Sequence, residues 1–518
     1  MLKSRLCIAF FAFAVGCAPA QKPLTDYVNP MLGTATLWDS VDLGFKPTKR
    51  TWGAEVFPGS SLPNAMVQVS PVTKFHSGAG YQYEDSVIYG FTHTNKGHWN
   101  LCHIPLLPVT GTPTPGDYCS PFSHERESAA PGYYQVFLDR YGVDAQLSST
   151  LRCAFHKYTY PAGAAASLLA DLQRSNEHVR AWDIRKEGDN VFAGWQQTGE
   201  KMYFYAVANR PVTGIEPVVE GDREVRIVRF GEGDGALELR IGFSFVSEKN
   251  ARENLEAEML GKSFAEVRSE ATATWNDLLG RIRVEGGTER EKGLFYSSLY
   301  RSFLWPALRS DVNGEFTDVD GKVINPGFRY YTGPSYWDDY RNKLILLGML
   351  APDVAADVIS SDTDKGEKRG GFMPTFFHGD HASAFVAGTY LRGNRGFDVN
   401  RAYNLVLRNA TVQGPSRPWL DEYIAKGYIS EMDVENPVTW TVCKAAVTKT
   451  LEYSYDDYAV ALLADALGDK ENRDMLMKRT SNYKNLFDPS TGLMRGRLEN
   501  SEWITPFDDQ YPYYEYMY

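Results

Sequence analysis

Cysteine is scarce. The 518-residue chain carries 6 cysteines, and Cys7 and Cys17 fall in its opening stretch. Cys102, Cys119, Cys153 and Cys443 remain, without CxxC spacing and without the Cys/His pattern of a structural zinc site. That excludes a thiol-redox motif and leaves buried thiols, or one disulfide among the first three. Basic blocks are lacking as well. Lys and Arg number 54 against 65 Asp and Glu, a formal net charge of -11, which repels phosphates and excludes a nucleic-acid partner. No apolar run after the first twenty residues is long enough to cross a bilayer. Repeats and low-complexity tracts are missing too, so the chain is not a repeat array.

What is present begins with a leader. Lys3 and Arg5 precede the apolar stretch Leu6 to Val15, and small residues follow. This reads as a secretory signal over residues 1–20, too short for a membrane anchor. Ala-Pro-Ala before Gln21 fits ordinary cleavage. Ala14-Val15-Gly16-Cys17 resembles a bacterial lipobox, which would place a lipid anchor on Cys17, although Ala14 stands where Leu is usual. A periplasmic, outer-membrane-attached or secreted protein is expected. The length implies two or more domains. Aromatic content is 13%, with 31 Tyr and 11 Trp, a composition that suits either aromatic-rich cores or stacking against sugar faces.

The first half reads as strands. Leu237, Leu239, Ile241, Phe243 and Phe245 alternate with polar or small residues, a period of two that predicts a half-buried strand. Tyr134, Val136 and Leu138, then Val143, Ala145 and Leu147, then Met202, Phe204, Ala206 and Ala208 repeat the pattern. Short strands with Gly and Pro turns predict a β-sandwich over 21–247. Residues 248–284, rich in Glu, Lys, Arg and Ala, read as a helical linker. Beyond them the period is helical. Val447, Leu451, Tyr455, Tyr458, Leu462 and Ala466 form one stripe, stopped by Gly468. Phe295, Leu299 and Phe303 form a second; Ala382, Phe385, Val386, Thr389 and Tyr390 form a third.

Several clusters carry chemistry. "SYWDDYRNK" (335–343) concentrates Trp337, Asp338, Asp339 and Arg341. An Asp at the start of a helix running to Leu350 is an N-cap, the expectation for Asp339. A carboxylate beside an indole and a guanidinium also holds sugar hydroxyls, and both roles are open to Asp338. His378, Asp380 and His381 precede a helix that Asp380 could cap; so close a trio is weak as a metal site. His93, His98 and Trp99 cluster in a loop. Glu452, Asp456 and Asp457 are spaced helically and read mostly as solvated charge beside a buried stripe. "DVNGEF" (311–316) reads as a turn rather than an EF-hand loop.

Taken together, "YVNPMLGT", "FPGSSLPNAMVQVSP", "GAGYQYEDSVIYGFTHT", "APGYYQVFL", "LRCAFHKYTYP", "LFYSSLYRSFLWP", "SYWDDYR", "TLEYSYDDY" and "RTSNYKNLFDPSTGLMRGR" resemble glycoside hydrolase family 92, the calcium-dependent exo-α-mannosidases. The resemblance implies an α+β multidomain chain, with an N-terminal β-sandwich followed by a C-terminal (α/α)6 barrel. It implies an inverting mechanism acting on terminal mannose of mannose-containing glycans, in α-1,2 or related linkage. Inversion uses an acid and a base roughly 6.5–9.5 Å apart, with water between them. The family's WDxYR aspartate contacts the mannose and maps onto Asp338, with Trp337 and Arg341 bracing the pocket and His93, Asp380 and His381 as further substrate-binding candidates. His93-Thr94-Asn95-Lys96-Gly97-His98 departs from the family's His-Thr-His-x-x-Gly and puts linkage specificity in doubt.

The family's acid-bearing Glu-Ala-Asn-x-Trp-Gln segment, its calcium-binding Glu and its base segment do not occur before Tyr518. A twelve-helix toroid, at roughly 18 residues per helix plus loops, takes well over ~300 residues. The barrel over 285–518 is therefore expected to be incomplete, with the catalytic acid, base and calcium ligands encoded beyond residue 518. Glu515 is not promoted to catalyst. The alternatives are a non-catalytic carbohydrate-binding protein and another (α/α)6-barrel glycosidase.

Overall fold

The computed structural model describes residues 22–36, 54–95, 101–233, 235–432, 444–505 and 507. The leader with Cys17, the pair His98 and Trp99, Cys443, and the terminal stretch with Glu515 lie outside the described residues. The chain is multidomain, with a β-rich N-terminal unit and a helical C-terminal unit.

Among the described residues the β-rich unit has two large sheets, one of seven strands and one of eight. The first runs Ser60–Ser61, Gln68–Val72, Gly90–Thr92, Leu106–Val109, Ser167–Ala170, Arg223–Phe230, Val212–Glu220; the second runs Ala181–Gly188, Val191–Gln197, Lys201–Ala208, Leu237–Ser244, Cys153–Thr159, Val143–Ser149, Tyr133–Leu138, Glu127–Ala130. Every pairing is antiparallel. The alternation explains the layering. Leu237, Leu239, Ile241 and Phe243 are fully buried, while Glu238 and Arg240 between them are partly exposed. Rings meet across the gap between the sheets: Phe91 lies 6.3 Å from Tyr158, and Phe192 6.3 Å from Phe230. Such interdigitation from two inner faces makes one core.

The linker region forms two helices, Glu248–Glu258 and Phe264–Leu279. Ser247 caps the first; Ser263 and Glu266 form a capping box on the second, each side-chain oxygen satisfying an otherwise orphaned backbone N–H. The first helix lies directly on strand Leu237–Ser244. Gly242 permits this, because a Cβ there would sit 2.1 Å from the Ala251 carbonyl oxygen. "DVNGEF" is a turn, with Gly314 at φ 84°. Its Asp311 is buried and accepts from Ser244 Oγ and Asn254 Nδ2.

Helices Glu289–Ser302, Lys343–Leu350, Pro352–Lys368, Ala382–Leu391, Val399–Thr411, Leu420–Lys426, Ala446–Leu467 and Lys470–Arg479 make up the described helical unit. Ala446–Leu467 packs against Ala382–Leu391, Val399–Thr411 and Lys470–Arg479. Here the predicted stripe fails. Tyr455 and Tyr458 are 46% and 45% exposed, whereas Asp456 and Asp457 are fully buried. The acids expected to be solvated point inward because buried cations receive them. Phe295 is also exposed, although Leu299 and Phe303 on its stripe are buried. Cys102, Cys119 and Cys153 are free thiols. Among the described residues no single helix is long and apolar enough to cross a membrane.

Candidate functional site

Polar bonds stitch the two units together. Asn64 Nδ2 donates to Pro306 O (2.8 Å) and Gln68 Nε2 to Leu304 O (3.1 Å), and on the linker helix Phe264–Leu279 Trp275 Nε1 donates to Ser61 O (2.7 Å). All three donor residues are buried, so each bond satisfies a group that desolvation would otherwise penalise. Along this seam opens a cavity of about 300 Å³, lined by Glu55 and Asn95 from the β-rich unit and by Trp305, Asp338, Asp339 and Lys343 from the helical unit.

The 335–341 loop places the acids. Tyr336 takes a left-handed φ of 53°, a conformation that costs a bulky residue about 1 kcal/mol or more. Its ring is buried and its hydroxyl donates to Asp362, which holds the strained residue in place. Two more bulky residues around the loop are left-handed, Glu55 (φ 49°) and Phe377 (φ 66°). Asp339 accepts from Ser335 N (3.1 Å) and faces Lys343 Nζ at 3.3 Å. It closes a turn and does not cap a helix. Nor does Asp338: the helix begins at Lys343 and its cap is Asn342. Asp338 is exposed and receives Ser335 Oγ on Oδ2 at 2.5 Å. Its Oδ1 has no hydrogen bond among the described residues, and Asp338 is among the residues lining the cavity.

The other predicted residues are placed elsewhere. Trp337 packs on Phe377, with ring centroids 4.8 Å apart. Arg341 is 61% exposed and reaches Glu452 at 4.0 Å. Tyr340 stacks on His381 at 3.8 Å and 11°. His381 is fully buried, with Nδ1 3.0 Å from Asp456 Oδ1 and Nε2 3.5 Å from Glu452 Oε2. Burial disfavours a charged imidazole, but the carboxylates of Asp456, Glu452 and Asp380 together outweigh it, and the His381 pKa lies above its usual value. Asp380 is no N-cap either; that position belongs to His381. Asp380 is buried and accepts from Arg417 Nε (3.1 Å), Asn409 Nδ2 (2.8 Å) and Ser383 Oγ (2.8 Å). Burial pushes its pKa up to about 6, against the pull of Arg417. Arg417 also binds Asp457 (2.6 Å), which Arg479 approaches at 2.9 Å. Asp380, Glu452, Asp456 and Asp457 thus face Arg417, Arg479 and His381 in one buried network.

His93 does not reach the cavity. It is buried between the sheets, with Nδ1 on Ile104 O (2.9 Å) and Nε2 on His156 Nε2 (3.0 Å). Desolvation lowers its pKa to about 3, so it is neutral. Asn95, two residues on, is the one that lines the cavity.

The comparisons with known proteins follow this geometry. Residues 27–253 match the glycosyl hydrolase family 92 N-terminal domain, and residues 250–517 match the glycosyl hydrolase family 92 catalytic domain. The chain belongs to glycosyl hydrolase family 92. A family GH92 α-mannosidase from Bacteroides thetaiotaomicron superposes with a TM-score of 0.84 at 27% identity, covering 94% of this chain and 68% of that one. A family GH92 inverting mannosidase from Bacteroides thetaiotaomicron VPI-5482 gives 0.81 at 25% identity, covering 94% and 69%. An uncharacterized secreted glycosidase from Arthroderma benhamiae is 24% identical over 522 residues, covering 89% of this chain. The chain spans 62% of the length of that curated relative.

The family's calcium finds no cradle in what is described. Among the described residues no group of three His, Cys, Asp or Glu side chains is placed to hold a metal ion. The acids nearest the cavity do not change this: Asp339 is already engaged by Lys343. Glu55, Trp305 and Lys343 escaped the sequence reading. "FPGSS" and "FLWP" flagged their neighbourhoods but not their convergence.

Proposed function

We propose that the protein containing this chain is an exo-acting α-mannosidase that removes terminal mannose from glycans, and that the seam cavity receives the sugar. The observation that carries this is the cavity itself. It lies between the two family-92 units, with Asp338 among its lining residues, in a fold shared with an α-mannosidase at a TM-score of 0.84. A related structure holds mannoimidazole, and a mannose-shaped ligand suits a cavity of this size.

In this reading Asp338 accepts from sugar hydroxyls. Asp339, pinned by Lys343 and Ser335, fixes the loop. Trp337, Arg341, Asp380 and His381 act behind it by holding the 335–341 and 377–381 segments together. We take the mechanism to be inverting, with calcium assistance, on α-1,2 or related linkages. The acid, base and calcium ligands are assigned to none of the described residues; that this chain aligns to 68% of the structural relative supports their lying elsewhere, in a barrel completed by further helices. The working units are 21–247, a linker 248–284 and a helical domain from 285. A secreted or periplasmic location accords with the leader and with the description of the fungal relative as secreted.

The test is mannose release from α-mannobiosides by the protein carrying this chain, followed by NMR of the anomer formed, with and without EDTA. Release of β-mannose that chelation abolishes is expected. No release from any α-mannoside, with release from another α-glycoside, would overturn the reading.

A further inference from the structure

A second, larger concavity lies wholly on the β-rich unit. It measures about 970 Å³, within the range of small-ligand sites, and shares no lining residue with the seam cavity. Three rings line it, Phe75, Tyr89 and Trp182, together with three cations, Lys74, Arg174 and Arg180. Arg174 is fixed in advance. Its guanidinium sits 5.4 Å from the Phe75 ring and 5.3 Å from the Tyr89 ring, with Nε 3.8 Å from the buried Asp171 and Nη1 3.4 Å from Tyr118 Oη. Asp171 cannot neutralise it alone, since the same carboxylate also takes Arg223 at 2.9 Å.

Lys74 and Arg180 are exposed, and neither charged group has an ion pair or hydrogen bond among the described residues. Of the acids in the lining, Glu177 is held by the Gly199 amide (3.4 Å) and Asp222 sits at a hairpin tip. The lining therefore carries three cations against two acids, a surplus of +1, on a chain whose formal net charge is -11. Ring faces cover the C–H side of a sugar, and uncompensated cations beside them select a negative substituent.

We propose that this groove is a saccharide-binding site separate from the seam cavity, selective for a sugar bearing a carboxylate, sulfate or phosphate group. Trp182 supplies the stacking face, and Lys74, Arg174 and Arg180 hold the anion. The site does not rest on the mannosidase reading.

Calorimetric titration tests it on the full chain with four probes: digalacturonate, glucose 6-sulfate, mannose 6-phosphate and neutral mannobiose. At least one acidic probe should bind. Its affinity should fall as salt rises from about 0.01 M to about 0.1 M, which shortens the screening length from roughly 30 Å to roughly 10 Å. The three acidic arms identify the anion. The double variant Lys74→Ser, Arg180→Ser alters only exposed side chains and should weaken that probe roughly thirtyfold, two charge contacts at the upper end of exposed pairs. Trp182→Ala should weaken it separately, without changing its salt dependence. The proposal is overturned if no acidic probe binds, if neutral mannobiose binds as tightly as the acidic sugars, or if the double variant binds like the parent.

Discussion

Removing Arg417 tests whether the inward charges of the helical unit are structural. Its side chain is fully buried and bridges two buried carboxylates, Asp380 at 3.1 Å and Asp457 at 2.6 Å. Arg417→Met keeps the apolar stem and deletes the charge. Breaking one partner of a buried pair costs about 3–5 kcal/mol, because the surviving charge stays desolvated. Asp457 retains Arg479 at 2.9 Å, and Asp380 can take up a proton, so the lower end, about 3 kcal/mol, is expected at neutral pH. At roughly 2–4 °C per kcal/mol for a unit of this size, the melting temperature drops by about 6–12 °C. The loss should shrink at mildly acid pH, where Asp380 is already protonated. Arg417→Lys keeps the charge but loses the fork and should fall between parent and Met variant. Urea titration followed by far-UV circular dichroism reads this, with the helical unit resolved as its own transition where the two units uncouple. A loss under about 1 kcal/mol at both neutral and mildly acid pH would refute the network as a structural element.

Three further outcomes follow from the same geometry. His381 is shifted up, and burial pushes Asp380 up to about 6. A group whose folded pKa is raised contributes stability fully below its unfolded pKa and loses it as pH rises through the folded value. Stability of the helical unit should therefore decline from mildly acid pH through neutrality, and His381→Gln should flatten the upper part of that decline in urea titrations. Trp275 is fully buried on the linker helix, packs with its ring tilted 4.3 Å from Tyr300, and donates to Ser61 O of the β-rich unit. Trp275→Ala should cost about 3–5 kcal/mol, and Trp275→Phe only about 1–2, the worth of the lost hydrogen bond; equal costs would show that the bond carries nothing. Asp338→Ala should leave the melting temperature within the scatter of surface substitutions, about 0.5 kcal/mol, because Asp338 is exposed and its one bond is to Ser335.

The strands were legible because side-chain parity in a sheet maps directly onto burial. Leu237 to Ile241 follow the alternation residue by residue. The same parity carries an unread message about His93: it lies two residues from Phe91, so it shares the core-facing side and cannot point into a loop cleft. The helix Ala446–Leu467 was misread for a physical reason. A hydrophobic stripe locates the inner face only where the interior is apolar, and here it holds Asp456, matched by His381, and Asp457, matched by Arg417 and Arg479 from elsewhere in the chain. Caps failed similarly. Asp338 and Asp339 stood where a helix start was expected, but Asp339 spends its oxygens on Ser335 N and Lys343, and the helix begins at Lys343, capped by Asn342. The seam cavity draws Glu55, Asn95, Trp305 and Asp338 from four distant segments, and no spacing rule connects residues that only tertiary packing brings together.

The central claim, that a terminal mannose sits in the seam against Asp338, is tested most directly by titrating mannoimidazole into the chain and into its Asp338→Ala variant, with equal folding of the two verified by circular dichroism. Saturable binding by the parent, lost in the variant and unaffected by Lys74→Ser, Arg180→Ser, is the predicted result. Binding of equal strength with and without the Asp338 carboxylate would contradict it.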